Sequence, residues 1–212
     1  MIHPTFLRFS PRAALFVCGR QTKTGFTLVE LLTVMAVASI IITLSSMGIG
    51  NMMRSLKVSA GSSVVIDTFV LARQAAVSSN KAVEVRFYKM TGAEGDRFKA
   101  IRMVAIDDQG NEKPLNMLQR LPAELEMAES STYSTLLDAS TAPRSGTETV
   151  SEGSSLAYVG FRFKPNGLTD LKPDEQWYLT VQPTQTSGTA LASNYFTVQV
   201  NPATGAATLY RP

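Results

Sequence analysis

The chain contains few of the residues that form disulfides, metal sites and histidine-based catalytic centres. Its 212 residues include one cysteine, Cys18, and one histidine, His3. One cysteine cannot form an intramolecular disulfide, and these two residues match no zinc-binding spacing. The sequence also shows no phosphate-binding loop and no dinucleotide-binding glycine motif. We therefore predict no cofactor, no metal site and no enzymatic activity.

Charge is almost absent from a long stretch near the N-terminus. Between residues 26 and 49 the one ionisable side chain is that of Glu30. A helix of this length spans roughly the 30 Å hydrocarbon core of a bilayer. The residues before it carry no acid and four bases, Arg8, Arg12, Arg20 and Lys23, which predicts a cytoplasmic N-terminus. A lone carboxylate at the edge of a span is costly without a partner, so Glu30 is a candidate functional residue.

Two common N-terminal signals fit this region poorly. A secretory signal has an apolar core of about 7–15 residues followed by a small-x-small cleavage site. Here the apolar run is longer, and the small residue Gly25 precedes it. Cys18 could suggest a lipid acceptor, but Phe16 and Val17 stand before it, where that processing requires small residues.

The sequence Gly-Phe-Thr-Leu-Val-Glu from Gly25 to Glu30 resembles the signal of type IV prepilins and type II secretion pseudopilins. The resemblance implies that a prepilin peptidase cuts after Gly25 and methylates the new amine of Phe26. It also implies that Glu30 neutralises this amine on a neighbouring subunit during assembly. A buried carboxylate and a buried ammonium are each expensive alone and tolerable as a pair. The alternative is an uncleaved single-span anchor in which Glu30 is incidental.

Cleavage after Gly25 would change the composition of the chain. The leader contains Cys18, His3 and four of the 20 basic residues, so 16 basic residues would remain against 17 acidic ones. The basic pI of about 9.1 therefore belongs to the leader and does not indicate a nucleic-acid partner. The mature chain would have no thiol and no imidazole.

Apolar spacing after the membrane-length run predicts that the helix continues. Val58, Val65, Phe69, Ala72 and Ala76 recur near a 3.6-residue period, and we expect the helix to end near residue 80. This outer half could then pack an apolar stripe on a sheet.

The remainder of the chain shows strand and turn patterns. Glu84 and Arg86 alternate with apolar residues and are predicted to form a solvated strand face. Residues 129–155, rich in serine and threonine, are predicted to form a mobile loop with a helical turn at 133–137. The predicted strands are 83–88, 98–106, 118–127, 156–163, 177–181, 195–200 and 206–210. Turns are predicted at 164–167 and 201–205, and a polar loop at 183–192. One long helix followed by strands indicates an α+β fold with an antiparallel sheet.

The order of these elements resembles the GspH/FimT-like minor pseudopilins, and the matching places are Leu121-Pro122 and 161–167. The tail, 196–212, resembles the Verru_Chthon cassette protein D family. The expected organisation is a leader at 1–25, a transmembrane helix at 26–50, its outer continuation at 51–80 and a sheet domain at 81–212. The pilin resemblance implies a structural subunit of a secretion or pilus-like filament, with prepilin peptidase and other pseudopilins as partners. It also implies a single pass through a bacterial inner membrane, with the sheet domain in the periplasm.

Other sites were weighed against simpler explanations. Asp107, Asp108 and Asn111 could bind calcium, but their spacing fits a hairpin turn better. Ser78 and Lys81 match a serine acyl-enzyme motif by chance, because its partner triplet lies in the leader and in the wrong order. A DNA- or ligand-binding minor pilin is the alternative function, although the C-terminal region offers the single cation Arg211, and phosphate binding requires several.

Overall fold

The computed structural model describes residues 25–92, 95–150, 153, 155–184 and 190–211. Within the helix, the side chains of residues 45–52 and 54 lie outside this description. Residues 1–24, which include most of the predicted leader, also lie outside the description. The chain divides into two compact units, Met1–Ser46 and Met47–Pro212.

The helix α1 covers Leu28–Ser79 and confirms the predicted end near residue 80. Asn80 adopts a left-handed backbone conformation with φ 51°. The Lys81 N–H donates to the Ala76 carbonyl at 3.3 Å. This is the hydrogen bond of a Schellman motif, which satisfies a free carbonyl at the helix end.

In the second unit, α1 buries one apolar stripe in the core. Val65, Phe69 and Ala72 are at most 1% exposed, and the predicted core residues Val58 and Ala76 are buried with them. The Phe69 ring makes edge contacts with Phe87 and Phe161, at centroid distances of 6.0 and 5.5 Å.

A glycine allows the helix to approach the sheet closely. A Cβ added at Gly61 would lie 2.4 Å from Leu125 Cδ1, so a larger residue would require the Leu125 side chain or the helix to shift.

Two parts of α1 are strongly apolar for different reasons. Among the described residues, Ser55–Ser79 is long and apolar enough to cross a membrane, with a mean hydropathy of 1.3, while Leu28–Leu44 is a shorter apolar helix. The apolar side chains of Ser55–Ser79 include the core stripe, as expected for a helix of a folded domain. Those of Leu28–Leu44 are exposed on every side of the helix. At about 1.5 Å per residue the shorter segment is about 26 Å long, close to the thickness of a hydrocarbon core.

In the described part of the chain, ten strands form two antiparallel sheets, where one sheet was expected. The first sheet has the order β3-β2-β1-β7-β6, with β4 also paired to β2, and the second has the order β10-β9-β8-β5. The strands are β1 Ala82–Gly92, β2 Gly95–Ile106, β3 Glu112–Pro114, β4 Gln119–Arg120, β5 Leu125–Met127, β6 Arg144–Thr149, β7 Ser155–Phe163, β8 Trp177–Pro183, β9 Phe196–Val200 and β10 Ala207–Tyr210. The α+β class with an antiparallel arrangement is confirmed.

The predicted strand at 118–127 is wrong, because the chain changes sheets within it. β4 pairs with β2 in the first sheet, whereas β5 pairs with β8 in the second. Pro122 between them has no N–H for a ladder, and its carbonyl accepts the Leu125 N–H at 2.8 Å in a turn.

The predicted mobile loop at 129–155 is also largely ordered. The expected helical turn is present as a 3-10 helix, Thr135–Leu137, with Leu136 and Leu137 buried. The polar strand β6 then pairs along β7. The sequence did not predict this pairing because the residues of β6 are mostly small and hydrophilic. Residues 151, 152 and 154 lie outside the described part of the chain.

The predicted turns at 164–167 and 201–205 are confirmed. Gly167 and Gly205 have φ values of 80° and 65°, which favour glycine. In the hairpin turn, the Gly205 N–H donates to the Asn201 carbonyl at 2.8 Å. Of the predicted polar loop at 183–192, residues 185–189 are outside the description.

Candidate functional site

The first candidate site is the segment that leads into α1. A Cβ added at Gly25 would meet no described atom within 4 Å, and the Phe26 side chain is 76% exposed. Among the described residues, none packs over the Gly25 position. The predicted site residues Gly25, Phe26 and Glu30 lie near one another because they are close in the sequence, at the start of the helix.

Thr27 caps this helix. Its Oγ1 accepts the Glu30 N–H at 3.2 Å, and its carbonyl accepts the Leu31 N–H at the same distance. Thr-x-x-Glu is the sequence pattern of a capping box, in which the carboxylate also lies near the positive end of the helix dipole. The sequence carried this signal, but the prediction assigned no role to Thr27.

Glu30 lies on an otherwise apolar surface. Its neighbours Leu28, Val29 and Leu31 are between 56% and 78% exposed. Among the described residues, no cation forms an ion pair with its carboxylate. Any environment that removes water from this surface would therefore have to supply a partner for Glu30.

A second group of charged residues lies on the face of the first sheet opposite α1. Glu84 and Arg86 were predicted to be solvated, and this prediction is wrong, because both side chains are 1% exposed. The edge strands β3 and β6 carry Glu112 and Glu148 to the central strand β1, and such long-range pairing is invisible in the local alternation. We call the following residues the Arg86 cluster: Glu84, Arg86, Arg102, Glu112, Glu148 and Arg162.

The Arg86 guanidinium binds three carboxylates. Its Nε lies 2.6 Å from Glu84 Oε1, its Nη1 lies 2.8 Å from Glu148 Oε2, and its Nη2 donates to Glu112 Oε1. Its Cζ lies 4.3 Å above the centre of the Tyr158 ring. All five N–H donors of an arginine lie in one plane, so a single Arg86 side chain can link both edges of the sheet to its middle.

The remaining members balance the charge. Arg162 Nε lies 2.6 Å from Glu84 Oε2, and Arg102 Nη1 lies 3.0 Å from Glu148 Oε1. The Tyr88 hydroxyl donates to Glu148 Oε2. The cluster thus contains as many arginines as glutamates, which is the condition under which buried charges are tolerated.

A glycine provides the space for this arrangement. Gly160 on β7 pairs directly with Arg86, and a Cβ there would lie 2.3 Å from the Val85 carbonyl oxygen.

The contacts shift the pKa values of the cluster in consistent directions. Burial disfavours the charge of Arg86, but its hydrogen bonds with the carboxylates prevail and hold its pKa above the usual range. Burial likewise opposes the charge of Glu148, and the hydrogen bonds from Tyr88 and Arg86 nevertheless lower its pKa. Burial, followed by the bond to Glu148, raises the pKa of the Tyr88 hydroxyl. Arg86 and Glu148 are therefore both charged at neutral pH, and their ion pair links β1 to β6.

The lowered pKa of Glu148 predicts an acid-sensitive contribution to stability. A carboxylate whose pKa is lower in the folded state stabilises the protein above its unfolded pKa, about 4.3 for glutamate. That contribution is lost as the pH falls through the folded pKa. Denaturant unfolding of the full chain in detergent should show Glu148→Gln less stable than wild type at pH 7, with the difference shrinking at pH 3. The exposed Glu124→Gln variant is the control, and a difference independent of pH would contradict the assignment.

The two further candidates from the sequence, Asp107 and Arg211, have hydrogen-bond partners within the fold. No group of three or more His, Cys, Asp and Glu side chains that could hold a metal occurs among them. The Asp107 carboxylate accepts hydrogen bonds from the Gln109 N–H and from the backbone and side chain of Asn111, as expected for the predicted turn. Arg211 donates to Ser59 at 3.2 Å, so this cation is used within the fold.

Comparison with known proteins identifies the N-terminal segment. Residues 20–46 match the family model of the prokaryotic N-terminal methylation motif. Two solved structures are similar. The minor pseudopilin EpsH of the type 2 secretion system of Vibrio cholerae is 10% identical, with a TM-score of 0.45 over 74% of this chain and 98% of that one. The type IV minor pilin FimU of Pseudomonas aeruginosa is 13% identical, with a TM-score of 0.43 over 73% and 92%. No curated protein matches the chain.

The match at residues 20–46 confirms the prepilin-type signal that the sequence resembled. A methylation motif followed by an apolar helix indicates single-pass anchoring in a membrane.

Proposed function

Because the chain carries a prepilin-type N-terminal methylation motif, we propose that it is a pseudopilin-like structural subunit of a type II secretion or type IV pilus-like filament. The observation that carries the proposal is the junction itself. The Gly25-Phe26 peptide leads directly into the apolar segment Leu28–Leu44, whose one carboxylate, that of Glu30, lies in the first turn of α1.

The first step in this proposal is processing. A prepilin peptidase would cut after Gly25 on the cytoplasmic side and methylate the amine of Phe26. No described residue packs over Gly25, and a glycine has no side chain that could cover the carbonyl of the cut bond. Residues 1–25 would then be a removable leader.

The second step is assembly. Residues 26–50 would lie in the inner membrane, residues 51–80 would continue the helix outside it, and residues 81–212 would form the periplasmic domain. Subunits that leave the bilayer must cover the exposed apolar side chains of Leu28–Leu44. Packing between subunit helices does so, and Glu30 would meet the Phe26 amine of a neighbour in the water-free interior. The proposed role is structural and does not require a cofactor.

Processing can be tested at the cleavage site. Replacing Gly25 with leucine should block the cut, because the added side chain would occupy the position that the peptidase requires to be small. Intact-mass measurement of protein extracted from native membranes should then show a chain starting at Met1. Wild type should start at a methylated Phe26. The Thr27→Val variant, which removes the helix cap next to the site, is the matched control and should still be cut.

A wild-type protein that retains its leader would support the alternative, an uncleaved envelope protein that never assembles. That result would overturn the proposal.

A further inference from the structure

A small groove lies on the first sheet, where the chain passes from β3 to β4 along the edge of β2. Its volume of about 420 Å³ is near the lower end of the range of roughly 300–1,000 Å³ for ligand sites. It is lined by three polar residues, Arg102, Asn116 and Arg120, and by five apolar ones, Pro114, Leu115, Met117, Leu118 and Val150. The described residues that line it include no acid, so both of its charged side chains are positive.

The two arginines lie on the same face of the sheet. Arg120 pairs directly with Ala100 on β2, and Arg102 follows Ala100 by two residues on that strand. Residues in such diagonal positions on adjacent strands lie about 7–8 Å apart, within reach of long side chains. Both guanidinium groups can therefore contact one small anion between them.

Arg102 is held in a fixed orientation. Its Nε donates to the Asn116 carbonyl at 3.1 Å, and its Nη1 donates to Glu148 Oε1 at 3.0 Å. These bonds use two of the five N–H donors of an arginine. Because the side chain is already ordered, binding an anion costs it little further conformational entropy. Glu148, a member of the Arg86 cluster, thus also orients a side chain of the groove.

Asn116 contributes a hydrogen-bond donor that has no acceptor. Its Oδ1 accepts the Met103 N–H at 2.8 Å, which fixes the orientation of the side-chain amide. Its Nδ2 is buried and donates to no residue in the described part of the chain. A buried donor without an acceptor is costly and rare in folded proteins. An anionic oxygen bound in the groove would supply the missing acceptor.

The apolar side of the groove is exposed. The side chain of Met117 is 86% exposed and that of Leu115 is 43% exposed, although both are large and apolar. Methionine is flexible and polarizable, so it adapts to apolar groups of different shapes. The groove therefore combines donors for an anion with a surface that suits one apolar side chain.

We propose that this groove binds the C-terminal carboxylate of a partner polypeptide whose last side chain is apolar. Arginine matches a carboxylate with two parallel N–H···O bonds, and chain ends are captured by such convergent donors in other recognition sites. At a chain end the carboxylate and the last side chain are attached to the same Cα, so both fit within one small groove. An aspartate or glutamate side chain does not bring an apolar group so close. This binding site goes beyond the proposed function, because it concerns the sheet domain and requires neither cleavage nor assembly.

Isothermal titration calorimetry of the full chain in a non-ionic detergent tests the proposal. The titrant is the acetylated tetrapeptide Gly-Ser-Ala-Leu, either with a free C-terminal carboxylate or with a C-terminal amide as the matched control. The free acid should bind at least tenfold more tightly than the amide, because the amide has no charge for the arginines. The free acid of Gly-Ser-Ala-Ser, which lacks the apolar side chain, should bind more weakly than that of Gly-Ser-Ala-Leu.

Two substitutions assign the binding to the groove. Asn116→Asp keeps the oxygen that accepts the Met103 N–H but replaces the donor with a negative charge, and should weaken binding of the free acid at least tenfold. Arg120→Gln removes an exposed cation and should weaken it severalfold. Lys99→Gln is the matched control, because it removes a cation from β2 that does not line the groove, and should bind like wild type. Circular dichroism should show that all three variants fold.

Several outcomes would overturn the proposal. They are equal binding of the acid and the amide, no binding of the acid at millimolar concentration, or wild-type binding by both Asn116→Asp and Arg120→Gln. Inorganic phosphate that competes as well as the peptide would show a general anion site, and binding of N-acetyl-leucine without the peptide would show a site for a small free acid. Each result leaves the proposed function untouched, because the purified chain is tested without filaments or peptidase.

Discussion

Replacing Arg86 with methionine is expected to lower the free energy of unfolding by about 3–5 kcal/mol. Methionine fills a similar volume but provides no charge and no donor. Glu84 would keep Arg162, and Glu148 would keep Arg102, but both would lose the cation that lies between them. Leaving buried carboxylates undercompensated is far more costly than losing a surface pair. Denaturant unfolding of the full chain in detergent measures the effect.

Two further variants test whether the loss of stability in Arg86→Met comes from the undercompensated carboxylates. Arg86→Met combined with Glu148→Gln removes a cation and an anion together, so the loss should be smaller than the sum of the single losses. Lys57→Met breaks the ion pair with Glu124, whose side chains are 37% and 59% exposed, and should cost less than about 1 kcal/mol. Equal losses for Arg86→Met and Lys57→Met would show that the cluster contributes no more than a surface pair.

We also expect hydrogen exchange to reveal which strands depend on Arg86. The edge strands β3 and β6 are connected to β1 through Glu112 and Glu148. Their amides should lose protection in Arg86→Met before those of β8 and β9, which belong to the second sheet. Uniform loss of amide protection across both sheets would indicate a global destabilisation and no specific link between Arg86 and the edge strands.

The second large effect concerns Glu30. Glu30→Val should leave the sheet domain folded and reduce recovery of the chain in filaments by at least tenfold. Without the carboxylate, the Phe26 ammonium of a neighbour would be buried without a partner, at a cost of several kcal/mol. Each 1.4 kcal/mol changes an equilibrium by a factor of ten. The measurement is the fraction of mature chain in sheared or overexpressed filaments relative to the membrane fraction.

Asp67→Val is the matched control, because it removes an exposed carboxylate from the same helix outside the apolar segment. Glu30 also stabilises the helix start, an effect of about 0.3–1 kcal/mol. Thr27→Val removes the cap while keeping the carboxylate, and should therefore assemble nearly normally. Normal recovery of Glu30→Val would exclude the role in subunit pairing.

Local patterns were sufficient for the helix, for most strands and for the hairpin turns. The stripe from Val58 to Ala76 predicted the buried face of α1, because helical periodicity depends on neighbours within eight residues. The glycine turns at 164–167 and 201–205 were equally readable, since a left-handed backbone favours glycine. The same is true of the N-terminal methylation motif at residues 20–46, which is a continuous stretch of sequence.

Alternation along a strand, by contrast, shows only that a side chain points away from the core. It does not show which residues that side chain contacts. Glu84 and Arg86 looked solvated because their partners Glu112 and Glu148 arrive from strands that are distant in sequence.

The sequence alone determined the apolar N-terminal helix, the methylation motif and the α+β class, because each depends on the order of nearby residues. The tertiary structure decided the division into two sheets and the burial of the Arg86 cluster. These features depend on which distant segments contact each other. A short polar strand such as β6 has too few apolar residues for the sequence to predict its pairing partner.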